Sequence, residues 1–354
     1  MRIGFIVSAF TNGGAQRVAI TLTKWLNSHG HEACIISLVE SDMNQYDASG
    51  MTYYSLGKMY AGQSVQRRMK AFDESHDVDA YILMGVPMCI YVIPALRNTR
   101  AKIIVSERND PRNFQGKAII KVASRFLMRR ADGFVFQTKD ASDFYKRFQN
   151  RSTVIPNPVA DVPMIRQRLS NAERKKRIVT AGRLVPQKNH EMLIHAFSMV
   201  SKDYPDYCLM IFGEGNLKES LESLAVRLGV QDRVFFPGSV NDVHEQIIDA
   251  ELFVLSSDFE GMPNALMEAM AMGLTSISTD CPCGGPRDMI EDGVNGYLIP
   301  VGDQEACARA IRAALSDKTN SDRIGQRAME LRERLGKDTI CEKWLEFIRK
   351  IVNK

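Results

Sequence analysis

The chain has 354 residues, 45% of them hydrophobic and 25% charged, with a formal net charge of +4. This excludes intrinsic disorder, which pairs low hydrophobicity with high net charge, and the length favours two domains over one. The seven cysteines are odd in number and scattered without a CxxC pair, which argues against zinc or redox work and fits a reduced, cytoplasmic setting.

The charge is unevenly spread. Residues 1–160 carry 21 Lys and Arg against 13 Asp and Glu, a net +8, and the remainder is net −4. That asymmetry points to separate tasks for two domains. Met1 leads straight into a buried-strand pattern at 2–7, with no secretory signal ahead of it. Further strands are predicted at 33–38, 52–56, 80–84, 102–106, 133–136 and 153–155. Val18, Leu22, Trp25 and Leu26 share one helical face, and 118–130 repeats the habit. The uncharged run 80–96 is too short and too broken by Pro87 and Pro94 to span a bilayer. It reads as a strand, a turn at Gly85 and a short helix.

After the proline-punctuated link IPNPVADVP the pattern restarts, with strands at 177–181, 207–212, 234–236, 252–255 and 276–279 and a final helix over 340–352. Strands alternating with helices mean βαβ units and mainly parallel sheets. The expected domains are 1–160 and 161–335, with 336–354 packing back on the first. Two such domains in tandem place a ligand cleft at the carboxyl ends of their strands.

The loop SAFTNGG ends at Gly13 and Gly14 beside a helix start, where free N–H groups suit an anion; a plain tight turn accounts for it equally. It is neither a GxGxxG nor a P-loop. In RIVTAGRLVPQKNHE, Arg183 ends a strand and Lys188 opens the next helix, two cations opposing the helix dipole unless an anion such as a diphosphate lies between them. Gly213, Glu214 and Gly215 follow a strand, where a flat base could pack on backbone.

LFVLSSDFEGMPNALMEAMAMG is the most informative segment. A buried strand, a loop with Asp258 and Glu260, Pro263 in the first helical turn and Gly273 at the end frame a helix that is apolar nearly all round. Its single charge, Glu268, needs a partner: a ribose diol or a structural Arg. PCGGPRD, at 282–288, is either a ligand loop or a turn before a helix.

These residues resemble the retaining glycosyltransferases of the large family 4, which have the GT-B fold: α/β, two Rossmann-like βαβ domains facing across a cleft. The resemblance runs from GGAQR to DGVNGYLIPVGD and is carried chiefly by Glu260, seven residues, then Glu268, with the GR…K pair. The wording is similar to bacterial enzymes that extend lipid-linked or surface polysaccharides from UDP-sugars. The resemblance implies that Gly13 and Gly14 meet the donor phosphates, that Arg183 and Lys188 clamp them, that Glu268 binds the ribose and that Glu260 holds the sugar. It also implies donor contacts from the amides of Met262, Pro263, Asn264, Ala265 and Leu266 as far as their chemistry allows, and from Gly213, Glu214 and 236–238 at the base. Where relatives often carry His, this chain has Arg108, a group that stays protonated and so acts electrostatically; its alternative is a salt bridge to Glu107 or Asp110.

The mechanism implied is front-face retention with no metal cofactor. The Asp77-Val78-Asp79 sequence falls at the amino end of a strand and reads as a solvated turn. The row Lys117, Lys121, Arg125 and Arg129, with Ile119, Val122, Ala123, Phe126 and Leu127 on other faces, suits either an anionic membrane surface or ordinary packing. The acceptor implied is a glycan or a polyprenyl-diphosphate-linked saccharide, and a lipid-linked one favours peripheral contact with the inner face of the cytoplasmic membrane. The rivals are a UDP-sugar epimerase of the same fold and a noncatalytic nucleotide-sugar or nucleic-acid binding module. Nucleic acid is disfavoured because only Phe126 interleaves the basic row.

Overall fold

A computed structural model describes residues 1–9, 13–40, 50–57, 62–114, 117–159, 174–240 and 242–354. Residues 10–12 of the first glycine loop and 160–163 of the link lie outside this set. The chain divides into two compact units, Met1–Pro158 with Lys337–Lys354, and Val159–Gly336.

In the first unit β1 (Arg2–Val7), β2 (Glu32–Ser37), β3 (Thr52–Ser55), β4 (Ala80–Leu83), β5 (Lys102–Glu107), β6 (Gly133–Phe136) and β7 (Ser152–Val154) form one sheet. Its order is β3-β2-β1-β4-β5-β6-β7 with parallel pairing throughout. A parallel sheet covered on both faces needs strands that are apolar on both sides. β4 and β6 are accordingly buried at every residue, while the edge strand β3 has none buried. The helices are α1 (Gly14–Ser28), α2 (Gly62–Ser75), α3 (Cys89–Ala95), α4 (Ala118–Leu127) and α5 (Lys139–Phe144). The predicted helix over 118–130 is α4 continued as a 3-10 turn, Met128–Arg130. The apolar run 80–96 resolves into β4, a 3-10 turn at Val86–Met88 and α3. No helix among the described residues is long and apolar enough to cross a membrane.

The second unit holds β8 (Lys175–Ala181), β9 (Cys208–Phe212), β10 (Val234–Gly238), β11 (Ala250–Leu255), β12 (Thr275–Thr279) and β13 (Tyr297–Ile299) in the order β10-β9-β8-β11-β12-β13, again parallel. Its helices are α6 (His190–Val200), α7 (Lys218–Arg227), α8 (Val243–Ile247), α9 (Asn264–Ala271), α10 (Gly285–Met289), α11 (Gln304–Ser316), α12 (Lys318–Ala328) and α13 (Leu331–Arg334). β13 escapes the sequence reading because three residues between turns give no period to detect. β12 buries four hydroxyls, each with a backbone acceptor; Thr279 Oγ1 donates to the Ser257 carbonyl at 2.6 Å, tying β12 to the loop after β11. In both sheets the strand order reverses, beside β1 and beside β8, which is where ligands sit in open parallel sheets.

The last helix, α14 (Lys337–Val352), belongs to the first unit. Trp25 of α1 donates its indole N–H to Asp338 at 2.8 Å, and Ile351 packs where a Cβ on Gly133 would come within 3.0 Å of it.

Candidate active site

The second unit gathers its polar residues at the carboxyl ends of the adjacent strands β9, β8 and β11. After β8 the chain passes Arg183 and makes a 3-10 turn, Pro186–Lys188. Asn189 then takes a left-handed conformation, φ 43° and ψ 48°, and caps α6 by accepting the Met192 N–H at 3.1 Å. Lys188 therefore lies just before the helix rather than at its start. Asn189 Nδ2 donates to Asp258 Oδ1 at 2.7 Å, Gln187 Nε2 to the Phe259 carbonyl at 2.8 Å, and Ser256 Oγ to the Lys188 carbonyl at 2.8 Å. The loops after β8 and β11 are thus stitched into one surface.

On it Lys188 Nζ donates to Glu260 Oε1 at 2.5 Å, and Ser257 Oγ donates to the same oxygen at 2.8 Å. Both charged side chains are largely buried. A buried ion is tolerable only with a close counter-ion and filled hydrogen bonds, and each meets that condition. Lys188 consequently has an anion within the protein, the Glu260 carboxylate, where the sequence suggested a diphosphate between Arg183 and Lys188. Arg183 differs: it is exposed and has no ion pair among the described residues. Its carbonyl accepts from His190 Nε2 at 3.3 Å, and burial pushes His190 down to about 4, so the imidazole is neutral.

Glu260 also exchanges backbone hydrogen bonds with the segment after β12: its N–H donates to Pro282 and its carbonyl accepts from Cys283, both at 2.8 Å. A Cβ on Gly285 would lie 2.0 Å from the Gly261 carbonyl. The PCGGPRD glycines thus serve a turn into α10 and a close backbone approach to the Glu260 loop.

Pro263 is the residue before α9, not inside its first turn, and no side chain caps that helix and no acid stands in its first turn. Met262 and Pro263 are buried, Asn264 and Ala265 half-buried, and Leu266 fully buried. Glu268 is buried within α9. A partner that the sequence did not point to is His244, whose Nε2 lies 3.0 Å from Glu268 Oε2. On the other side His244 Nδ1 is 3.4 Å from Asp242 Oδ1, which also accepts the N–H groups of His244 and Glu245 at the start of α8. Asp242 as a helix cap was legible from NDVHE; the pairing across 24 residues had no local signal.

Gly213, with φ +133°, would place a Cβ 2.1 Å from the Gly182 carbonyl, and one on Gly215 would lie 2.2 Å from the Leu184 carbonyl. These glycines make room for the protein's own backbone. Glu214 is exposed, and its carbonyl accepts from Leu184 N–H at 2.8 Å; Gly213 N–H donates to Gly238 at 2.8 Å, joining the ends of β9 and β10.

In the first unit Gly13, at φ −126°, is the residue before α1 and Gly14 its first; the helix has no side-chain cap and no acid in its first turn. Arg108 follows β5. It makes no salt bridge to Glu107 or Asp110. Its guanidinium donates instead to Asn157 Oδ1 and, at 3.3 Å, to Ser106 Oγ. Asn157, from the link, also accepts from Gln137 at 2.7 Å. Burial holds Arg108 down at about 9, still charged at neutrality. Glu107 is pushed up to about 7 by burial, opposed by hydrogen bonds from Tyr145 (3.1 Å) and the Asn109 and Arg108 amides. Asp110 pairs with Arg112 at 3.6 Å. Asp77 and Asp79 both bond Arg2, at the amino end of the sheet. Among the described residues no three His, Cys, Asp or Glu side chains cluster as metal ligands.

Two parallel α/β units, each with charged groups at strand carboxyl ends, have the architecture in which open parallel sheets hold their ligands. Residues 12–161 match the family described as Glycosyltransferase Family 4, and residues 161–331 match Glycosyl transferases group 1. Together the two matches span residues 12–331, so the chain carries both glycosyltransferase domains. It is 26% identical to an uncharacterized glycosyltransferase of Haemophilus influenzae over 97% of this chain and 98% of that one. It is also 26% identical, over 100% and 99% of the two chains, to a Campylobacter jejuni α-1,4-N-acetyl-D-galactosaminyltransferase named for a diNAcBac-PP-undecaprenol substrate carrying two GalNAc residues. In fold it is similar to Anabaena HepE in complex with UDP and glucose, with a TM-score of 0.87 at 17% identity, covering 99% of this chain and 100% of that one. Staphylococcus aureus TarM gives 0.82 at 16% identity, covering 98% and 99%. The fold is GT-B.

Proposed function

We propose that the chain transfers a hexose or N-acetylhexosamine from a UDP-sugar to a glycan or polyprenyl-diphosphate-linked acceptor, with retention and without a metal, in bacterial surface-polysaccharide or glycan assembly. The observation that carries this is the Lys188–Glu260 pair, held by Ser257 beside an uncommitted Arg183. It offers a carboxylate to sugar hydroxyls and cations to a diphosphate in one rigid surface. The HepE complexes contain UDP and UDP-glucose, and the C. jejuni relatives are named for undecaprenol-diphosphate-linked acceptors; both support the choice of donor and acceptor.

In this reading Arg183, Lys188 and the uncapped start of α9 stabilise the negative charge that grows on the leaving UDP. Gly13 and Gly14, at the start of α1, present backbone that suits a donor phosphate. Glu268 accepts hydrogen bonds from the ribose diol, and Glu260 orients the sugar. Gly213 and Glu214 border the base. Arg108, charged and anchored by Asn157, contributes field and takes no proton. The acceptor hydroxyl oxygen forms its bond to the anomeric carbon on the face from which UDP leaves; the bond to the β-phosphate oxygen breaks, and that phosphate takes the acceptor's proton. The acceptor's lipid anchor would hold the enzyme against an anionic membrane on its cytoplasmic side.

A panel of sugar nucleotides, assayed for slow acceptor-free hydrolysis with and without EDTA, tests the reading. Release of UDP from one or more UDP-sugars, unchanged by EDTA, is expected. Loss of activity in EDTA, or activity only with another nucleotide, contradicts it.

A further inference from the structure

α4 is built the wrong way round for an ordinary surface helix. Such a helix turns its apolar stripe to the core and its charges to water. Here only Ser124 is buried within the helix, while Ile119, Val122 and Phe126, spaced i, i+3 and i+7, are 75%, 68% and 59% exposed. Phe144, 38% exposed, lies near its flank under the guanidinium of Arg125 at 4.9 Å. The stripe is bordered by cations: between Asp110 and Asp132 the sequence has six Lys and Arg and no acid. Lys121 and Arg125 are tethered to the carbonyls of Arg112 and Pro111, which keeps their charges beside the stripe.

From this we infer that α4 is a membrane-insertion face, in which Ile119, Val122 and Phe126 enter the headgroup and acyl boundary of an anionic bilayer while Lys117, Lys121, Arg129 and Arg130 engage lipid phosphates. This rests on the peripheral-membrane reading above and adds the face and the force: apolar burial, with charge in support. A second copy of the chain is the poorer occupant. A two-fold interface on this face brings the same patch against itself, setting Lys117, Lys121, Arg125, Arg129 and Arg130 against their own copies, while the sixth cation, Arg112, is paired with Asp110. An anionic lipid surface complements both the apolar stripe and its basic border.

The test is flotation of the full chain with vesicles of phosphatidylglycerol and phosphatidylcholine, and with phosphatidylcholine alone. Wild type is expected to float with the anionic vesicles and to retain part of its binding at 0.5 M salt, about threefold above the ionic strength of physiological buffer. Phe126→Ser, and Ile119→Ser with Val122→Ser, should each lower the partition coefficient about tenfold or more while leaving UDP binding unchanged, which reports an intact fold. If wild type floats and these variants float equally, α4 is the wrong face and the membrane reading stands. If wild type binds neither vesicle, the membrane reading falls and this proposal with it. A dimer in sedimentation that Phe126→Ser dissolves would also overturn it.

Discussion

His244 Nε2 lies 3.0 Å from Glu268 Oε2, with both side chains buried. The carboxylate assigned to the ribose is therefore held by a buried imidazole, which helps to fix its orientation. Removing His244 strands a buried carboxylate that has lost a hydrogen bond, a cost of about 1–3 kcal/mol. His244→Ala should lower the melting temperature and raise the donor KM about tenfold, with kcat little changed. The ribose role supplies a sharper readout: wild type should discriminate against 2′-deoxy-UDP relative to UDP, Glu268→Ala should abolish that discrimination, and His244→Ala should weaken it. Equal discrimination in all three contradicts the pairing's role.

Lys188 and Glu260 stand or fall together. Lys188→Ala leaves Glu260 with Ser257 alone, and loss of one partner of a buried ion pair costs about 3–5 kcal/mol. We expect reduced stability together with a fall in kcat of about 10²–10³, the usual loss for one stabilising donor. Glu260→Gln keeps the shape and removes the charge, so it should unfold less readily than Lys188→Ala while losing comparable activity. Thermal unfolding beside initial rates checks both.

Glu107 gives a pH signature in the first unit. Its folded pKa of about 7 lies above an ordinary 4.5. Its contribution to stability is fully present below pH 4.5 and is lost as pH rises through 7, a swing of about 3 kcal/mol. Glu107→Gln abolishes this titration. Urea midpoints at pH 5 and pH 8 should show the variant gaining on wild type at the higher pH; a constant difference contradicts it. His190 works in the opposite sense: buried neutral with a pKa of about 4 against 6.5, it lowers stability as pH falls through that window. It is common to both proteins, so it cancels in the comparison.

Gly213→Ala separates a structural glycine from a ligand-contacting one. At φ +133° its Cβ would meet the Gly182 carbonyl at 2.1 Å, and the strain with the clash should cost about 3 kcal/mol or more. The melting temperature should fall even without ligand. Full stability with weakened UDP binding would mean that Gly213 is needed for the base and not for the backbone.

The alternation of apolar runs with amphipathic stretches carries the fold in the sequence, because parallel strands buried on both faces leave uninterrupted signals such as those of β4 and β11. Glu260, Lys188 and Glu268 were legible through their spacing and the oddity of one charge in an apolar helix. What was not legible is who holds them. The contacts of His244 with Glu268, Asn157 with Arg108 and Ser257 with Glu260 depend on tertiary placement or loop geometry, and none leaves a periodic trace. The glycines at 213, 215 and 285 were conspicuous, yet their cause is the neighbouring carbonyls of Gly182, Leu184 and Gly261, visible only once the strands lie side by side. α4 was visible as an amphipathic helix; which side faces solvent was not, since periodicity finds a stripe without saying what covers it.

The proposed sugar transfer from UDP rests on the Lys188–Glu260 pair at the ends of β8 and β11. The most direct measurement is sugar transfer by Lys188→Ala and Glu260→Ala, each shown to be folded by circular dichroism, with the UDP-sugar that wild type uses. Both should lose transfer by about 10² or more. Two folded variants that transfer sugar at the wild-type rate would contradict it.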